Sequence, residues 1–550
     1  MAILSFIGFT ALVAIISYFL TGKTKETADG YFLGGRSLTA GVIAGSLLLT
    51  NLSTEQIVGL NGAAFEEGIL VMCWETLAAI AMVVTALFLL PRYLKGGITT
   101  VPQFLETRYD TMTKTITSGL FLSGYVVVFL PIVLYSGSLA LVTMFNIPEM
   151  FDITKSAAIV WCVWGIGLIG SVYAIFGGLR AVAISDSINA IGLLIGGLTI
   201  PILGLLHIGD GSIGTGISNL YEFNPDRFNA IGGPSAAVPF STIFTGMMLV
   251  QLFYWGTNQA IIQRALAAKN LKEGQKGLLI AAFFKILGPL ILVLPGMIAF
   301  YMFNEELLPA DKDQAYPMLV REVLPTAMVG FFAAVLFGAI LSSFNSALNS
   351  CVTLFGLDIY KEHINPDADD KTVVKYGKAF GVLLAIGAMI IAPSIAKAPK
   401  GLFDYLQEIN GCYSIPILTI IVVGYLTKYV PAIAAKIAII LGAVLYFISQ
   451  FGIKPRMIEN AVDSAKASGM TDEVALKAVE AGAYPHFLHV MAILFVMNIL
   501  IMLVIGKIKP RSTAFDLSYT EQVDITPYRY VKPIGLAIVI VVIFTYILFQ

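Results

Sequence analysis

The chain has 550 residues, 57% of them hydrophobic and 13% charged, with a formal net charge of −1. So much apolar surface with so little charge excludes a soluble globular protein, and the balanced charge without basic tracts excludes a nucleic-acid partner. Apolar runs of about 20 residues, the length that crosses roughly 30 Å of hydrocarbon, recur along the whole chain. The sequence therefore predicts an all-α polytopic membrane protein set in a lipid bilayer.

The opening MAILSFIGFTALVAIISYFL lacks the basic start and small-residue cleavage site of a signal peptide, and reads as a retained first helix. In chain order, the apolar runs predict helices at 2–21, 40–64, 69–91, 116–144, 157–176, 181–206, 240–257, 277–303, 328–359, 376–397, 403–425, 430–451, 484–506 and 532–549, fourteen in all. Lys and Arg concentrate in alternate loops: Lys23, Lys25 and Arg36 in the first, then Arg92, Lys95, Arg108 and Lys114. Cytoplasmic loops carry that bias, which predicts an even span count with both termini outside. Two outer segments are longer: 207–239, and 454–485 with a polar helical stretch expected to cap the surface. Cys73, Cys162, Cys351 and Cys412 stand singly without metal-ligand spacing. His486 and His489 read as interface residues rather than metal ligands. A GxxxxGK[ST] phosphate loop is absent, which argues against a nucleotide-driven pump.

One stretch breaks the pattern. TNLSTEQIVGLNGAA, residues 50–64, places a polar run at bilayer depth, where unpaired polar groups cost several kcal/mol. Asn51, Ser53 and Thr54 compete for backbone hydrogen bonds, and Gly59 and Gly62 weaken the helix further, which predicts a broken helix. A second interruption follows in QLFYWGTNQAIIQRALAAK, from Gln251. The two open successive five-helix blocks, 40–206 and 240–425, with 1–39 before them and three helices in 426–550 after. Matched interruptions in two halves point to an inverted-repeat transporter with its site at the midplane. Ser342 and Ser343, one turn after Ala339, could supply oxygens to a small hard cation. Lys285, Glu75 and Asp186 are ionisable groups within the apolar runs, and such a lysine needs a carboxylate or polar partner.

The stretches YFLGGRSL, NLSTEQIVG, FGGLRAV, YWGTNQAIIQRALAAK, SSFNSALNS and LFDYLQEING, in that order, resemble the solute:sodium symporter family, and its bacterial sodium–sugar cotransporters most closely. The resemblance covers nearly the whole chain. It implies a LeuT-like core of two inverted five-helix repeats with about 14 transmembrane helices. It places sodium on the carbonyls of Leu49, Leu52 and Ala339 and the hydroxyls of Ser342 and Ser343, with Asp186 near the sodium exit path. Sugar contacts fall on Gln56, Glu75, Lys285 and Gln407. Tyr254 matches the aromatic that closes the inner side, with Asn51 as its hydrogen-bond partner, while Leu60, Trp74 and Phe403 fall where apolar side chains close the outer side.

Three positions depart from the galactose transporters: Phe129 stands for a sugar-contacting Asn, Ala78 for a Ser, and Gln251 for an Asn. An unpaired sugar hydroxyl there would cost roughly 1–3 kcal/mol. The expected function is sodium-coupled import of a small polar solute, a monosaccharide first, by alternating access in a bacterial inner membrane, with no enzymatic activity. The rivals are the same fold carrying a sugar acid, amino acid or other small organic anion, and a channel or membrane sensor.

Overall fold

The structure is a computed structural model that describes residues 1–21, 28–307, 309–397 and 402–550. It is helical throughout, as composition requires. Helix α1 (Ala2–Thr21) is followed by the predicted broken span. Its first half is α2 (Ala40–Asn51) and its second α3 (Thr54–Glu67). Then come α4 (Cys73–Val84), α5 (Leu130–Phe145) and α6 (Lys155–Ile208).

The second broken span is α7 (Gly246–Gly256) with α8 (Gln259–Leu266). Helices α9 (Leu271–Ile286), α10 (Thr326–Thr353) and α11 (Leu402–Leu426) complete the set that builds the site. Helices Ala432–Phe447, Phe487–Ile508 and Val531–Leu548 follow.

Among the described residues, ten helices are long and apolar enough to cross a membrane, or eleven if the bent pair Leu271–Ile286 and Gly288–Phe303 is one span. The sequence count of fourteen is not reproduced by that measure. The span expected at 40–64 is divided, its first half Ala40–Asn51 being apolar but short. Another difference is α6, which remains helical across the boundary expected between 176 and 181. Its two halves, Lys155–Val172 and Val182–Ile208, are each apolar enough to span. Glycine there lowers helix propensity by about 1 kcal/mol, too little to end a helix of this length.

Helix α1 lies on α10. Ser5 Oγ donates to Ala327 O at 2.8 Å, and Phe6 and Phe9 meet Phe337 and Phe331 at centroid distances of 5.5 and 4.7 Å. The first break falls at Leu52 and Ser53, with Ser53 extended (φ −82°, ψ 176°). Gly59 and Gly62 do not weaken the helix, which continues through both. They permit close approach instead: a Cβ on Gly59 would lie 2.9 Å from Phe403 Cβ, and one on Gly62 the same distance from Asp313 Oδ1. The second break falls at Thr257 and Asn258, where Asn258 Oδ1 caps α8 by accepting from Ala260 N at 3.1 Å.

Candidate functional site

The two breaks face each other across a buried cavity of about 40 Å³, room for about three waters. Of the sequence-predicted solute residues, Asn51, Gln56, Phe129, Tyr254 and Gln407 line it, and so does Trp74. A π-helical turn, Tyr125–Phe129, brings both its end residues to the wall. Pro131, two residues further on, has no N–H to donate back into the ladder, a local cause for the widened turn.

Glu75 and Lys285 sit one layer behind. Lys285 Nζ donates to Glu75 Oε2 at 2.5 Å, and Gln56 Nε2 donates to Glu75 Oε1 at 2.7 Å. Lys285 also lies 5.5 Å from the Trp255 ring centroid. Helix α9 bends by 51° just beyond Lys285, at Gly288 and Pro289. The bend and the missing Cβ of Gly288 make room for the Glu75 carboxylate. Gln251 spends its amide on Trp74 O at 2.7 Å, and Ala78 is buried nearby.

The residues expected to close the outer side pack together above the cavity. Trp74 and Phe403 meet edge to face at 5.1 Å, and Leu60 is fully buried. Outside this apolar layer lies a charged one. Lys312 Nζ joins Glu66 Oε2 at 2.7 Å to Asp404 Oδ2 at 3.4 Å, tying α3 to α11. Arg227 donates to the carbonyls of Phe65 and Glu66 at 2.8 and 2.7 Å, capping α3. Desolvation lowers its guanidinium to about 10. Asp313 Oδ2 accepts from Leu402 N at 3.1 Å. These two layers close the cavity on the side expected to face out.

On the inner side, Tyr254 and Asn51 share the cavity wall and lie within side-chain hydrogen-bonding reach. Tyr125 hydroxyl donates to Asn258 Oδ1 at 2.5 Å and accepts from Ala260 N at 3.0 Å, pinning the second break. Tyr413 hydroxyl donates to Asn410 Oδ1 at 2.5 Å.

The predicted cation residues also come together. A helix that stops at Asn51 leaves its last carbonyls without intrahelical donors. Ser343 Oγ donates to Thr50 O at 2.9 Å, and Thr50 Oγ1 lies 3.4 and 3.3 Å from Ser342 and Ser346 Oγ. Leu49, Leu52, Ala339, Ser342 and Ser343 are all buried at this contact of α2 with α10. Asp186 Oδ2 accepts from Ser46 Oγ at 2.7 Å, and Ser46 Oγ accepts from Arg264 Nε at 2.9 Å. The Arg264 guanidinium also reaches Ser346 Oγ and Ala260 O. Carbonyls and hydroxyls beside a balanced Asp–Arg pair form an oxygen-rich, dry environment suited to a hard monovalent cation.

Sequence reasoning did not single out Arg264, Ser46, Ser346, Tyr125, Asn258, Asn410 or Tyr413. Arg264, a charged side chain eight residues past Gly256 within the second interrupted segment, was the available signal. His486 and His489, by contrast, serve packing: His489 contacts the hydroxyls of Ser241 and Thr245 at 3.1 and 3.0 Å, and His486 Nε2 reaches Ala237 O at 3.0 Å.

Two broken helices around a buried cavity, with a packed layer on either side of it, are the arrangement of a secondary transporter. Residues 31–442 match the family model of sodium:solute symporters, and the chain belongs to that family. As a member of that family it is an integral membrane transporter rather than an enzyme, and sodium is its coupled ion. The chain is 47% identical to the uncharacterized symporter YidK of Escherichia coli (strain K12), over 99% of this chain and 90% of that protein. It is 35% identical to a sodium/glucose cotransporter of Vibrio parahaemolyticus, covering 76% and 78% respectively. Among solved structures, a substrate-bound, outward-open Na⁺-coupled sialic acid symporter superposes with a TM-score of 0.69 at 19% identity, covering 94% of this chain and 98% of that one. That likeness shows the shared LeuT-like fold.

Proposed function

We propose that the protein imports a small neutral polyhydroxy solute, a monosaccharide of the glucose or galactose type, driven by sodium. The observation that carries this reading is the lack of a free cation at the cavity. Lys285 is neutralised by Glu75, and among the described residues none that lines the cavity is basic. A sugar acid or other organic anion would enter without a free cation to meet it. Gln56 and Gln407 offer amides to hydroxyls, while Phe129 offers an apolar wall. The 35% identity to a sodium/glucose cotransporter agrees with this choice.

In this reading sodium binds the carbonyls of Leu49, Leu52 and Ala339 with the hydroxyls of Ser342 and Ser343, and Asp186 lies on its way out. The blocks 40–206 and 240–425 are the two inverted repeats, both termini lie outside, and the membrane is a bacterial inner membrane. Sodium bound between α2 and α10 fixes the broken span in the solute-binding arrangement, and the solute must then raise sodium affinity by the same factor. One charge moving inward at 100 mV contributes about 2.3 kcal/mol, enough to concentrate a neutral solute some fiftyfold.

The test is uptake of labelled glucose and galactose into proteoliposomes with and without an inward sodium gradient. Accumulation above the external concentration supports the symporter and rules out a channel. Uptake indifferent to sodium sinks the coupling, and competition by sugar acids but not hexoses would transfer the reading to an anion.

A further inference from the structure

Around the cavity, the polar side chains sort into those with protein partners and those without. Gln56 donates to Glu75, Gln251 donates to Trp74 O, Asn258 Oδ1 accepts from Tyr125, and Asn410 Oδ1 accepts from Tyr413. Two atoms stand apart. Glu55 Oε2 and Asn51 Oδ1 receive no donor from any described residue, although Glu55 is 3% exposed and Asn51 7%. Both residues line the cavity and flank the first break. Both atoms are acceptors, so the chemistry missing from this corner is a pair of donors.

We propose that Glu55 is a specificity-determining residue whose carboxylate, with Asn51 Oδ1 beside it, accepts hydroxyl donors of the bound solute. No cation among the described residues competes for the Glu55 carboxylate. Lys285 is held by Glu75, and among the described residues no basic side chain lines the cavity. A buried carboxylate oxygen without a donor is costly, and a hydroxyl that fills the position makes a charge-assisted bond. Two acceptors in one wall select a molecule carrying more than one donor, which a polyol does and an apolar or singly substituted solute does not. Phe129, also in the lining, offers a hydroxyl no partner, so the solute's donors are best met at the break. Glu55 lies in the first turn of α3, so closing a bond to it couples solute binding directly to the segment that rearranges between states. This inference rests on the sugar reading above and extends it to which wall of the cavity reads the hydroxyls.

The experiment measures sodium-driven hexose uptake in proteoliposomes, and its inhibition by a set of monodeoxy hexoses, for wild type and Glu55→Gln. The expected result is a roughly 10- to 100-fold higher KM in the variant with little change in kcat. One deoxy analogue inhibits the wild type less well than its parent by a similar factor, and that difference disappears in the variant. An unchanged KM, or an equal loss across every analogue, overturns the assignment, since a merely structural role moves all of them together. If the variant is not recovered, the wild-type set still decides: a profile in which no hydroxyl matters tenfold overturns it. Absence of hexose uptake by wild type overturns the sugar reading itself, whereas hexose uptake with identical analogue profiles in both proteins overturns Glu55 alone.

Discussion

Lys285 Nζ lies 2.5 Å from Glu75 Oε2, with the two side chains 1% and 0% exposed. The residues are 210 positions apart, on α9 and α4, and meet because α9 bends at Gly288 and Pro289. A pair this dry gains little net stability over an apolar substitute of the same volume, but losing one partner strands a charge. Glu75→Gln or Lys285→Met alone is expected to cost about 3–5 kcal/mol, read as a lower Tm in detergent. The double variant should recover most of that loss. A double variant no more stable than either single one would show that the two charges do not compensate each other.

Ser343 tests the cation site. Its hydroxyl hydrogen is spent on Thr50 O at 2.9 Å, which leaves its lone pairs for a cation. Ser343→Ala should raise the sodium concentration for half-maximal uptake about tenfold, with solute KM at saturating sodium little changed. A sodium titration of initial rates checks this, and coincident curves for variant and wild type would remove Ser343 from the site.

How far these contacts could be read from the sequence depends on their range. The polar run 50–56 announces a break because Asn, Ser and Thr compete locally with the helix ladder, and the break falls within it, at Leu52 and Ser53. Lys285 is recognisable as a buried cation needing a partner, and Glu75 stands among the ionisable groups, yet nothing local says that they pair. The Tyr125–Asn258–Ala260 cluster and the Ser46–Asp186–Arg264 chain stayed hidden for the same reason. Each joins residues more than 130 positions apart, and side-chain type does not disclose which helix faces it. Gly59 and Gly62 were misread because glycine marks both weak helix and close contact, and only the neighbours Phe403 and Asp313 decide between them.

Gly59 offers a direct probe of the outer closure. Its would-be Cβ lies 2.9 Å from Phe403 Cβ and 3.2 Å from Phe403 N, so the obstacle includes backbone that cannot swing aside. Gly59→Ala should disfavour this closed arrangement by about 1–3 kcal/mol and shift the population toward outward-open. A cysteine placed at Gln407 in the cavity wall should then react faster with an external, membrane-impermeant thiol reagent. Equal labelling with and without Gly59→Ala would mean that Phe403 does not set the closed state.

Asp313 makes the outer layer sensitive to pH. Burial pushes its carboxyl up to about 6 from an ordinary value of 3.8, against the opposing pull of the Leu402 N–H and Lys312. A carboxyl with a raised folded-state value binds its proton more tightly folded than unfolded, so its contribution is fullest below about pH 4. It is lost as pH rises through 6, by at most about 3 kcal/mol. Asp313→Asn keeps an acceptor for Leu402 N and cannot ionise. It should therefore match wild type near pH 4 and exceed it in Tm at pH 7. Lys312 and Asp404 act on the Asp313 carboxyl through space, so the difference between the two Tm curves reads position 313 together with that coupling. A difference that stays flat from pH 4 to 7, or a variant less stable at pH 7, would show that the ionised carboxylate is held by donors that outweigh its burial.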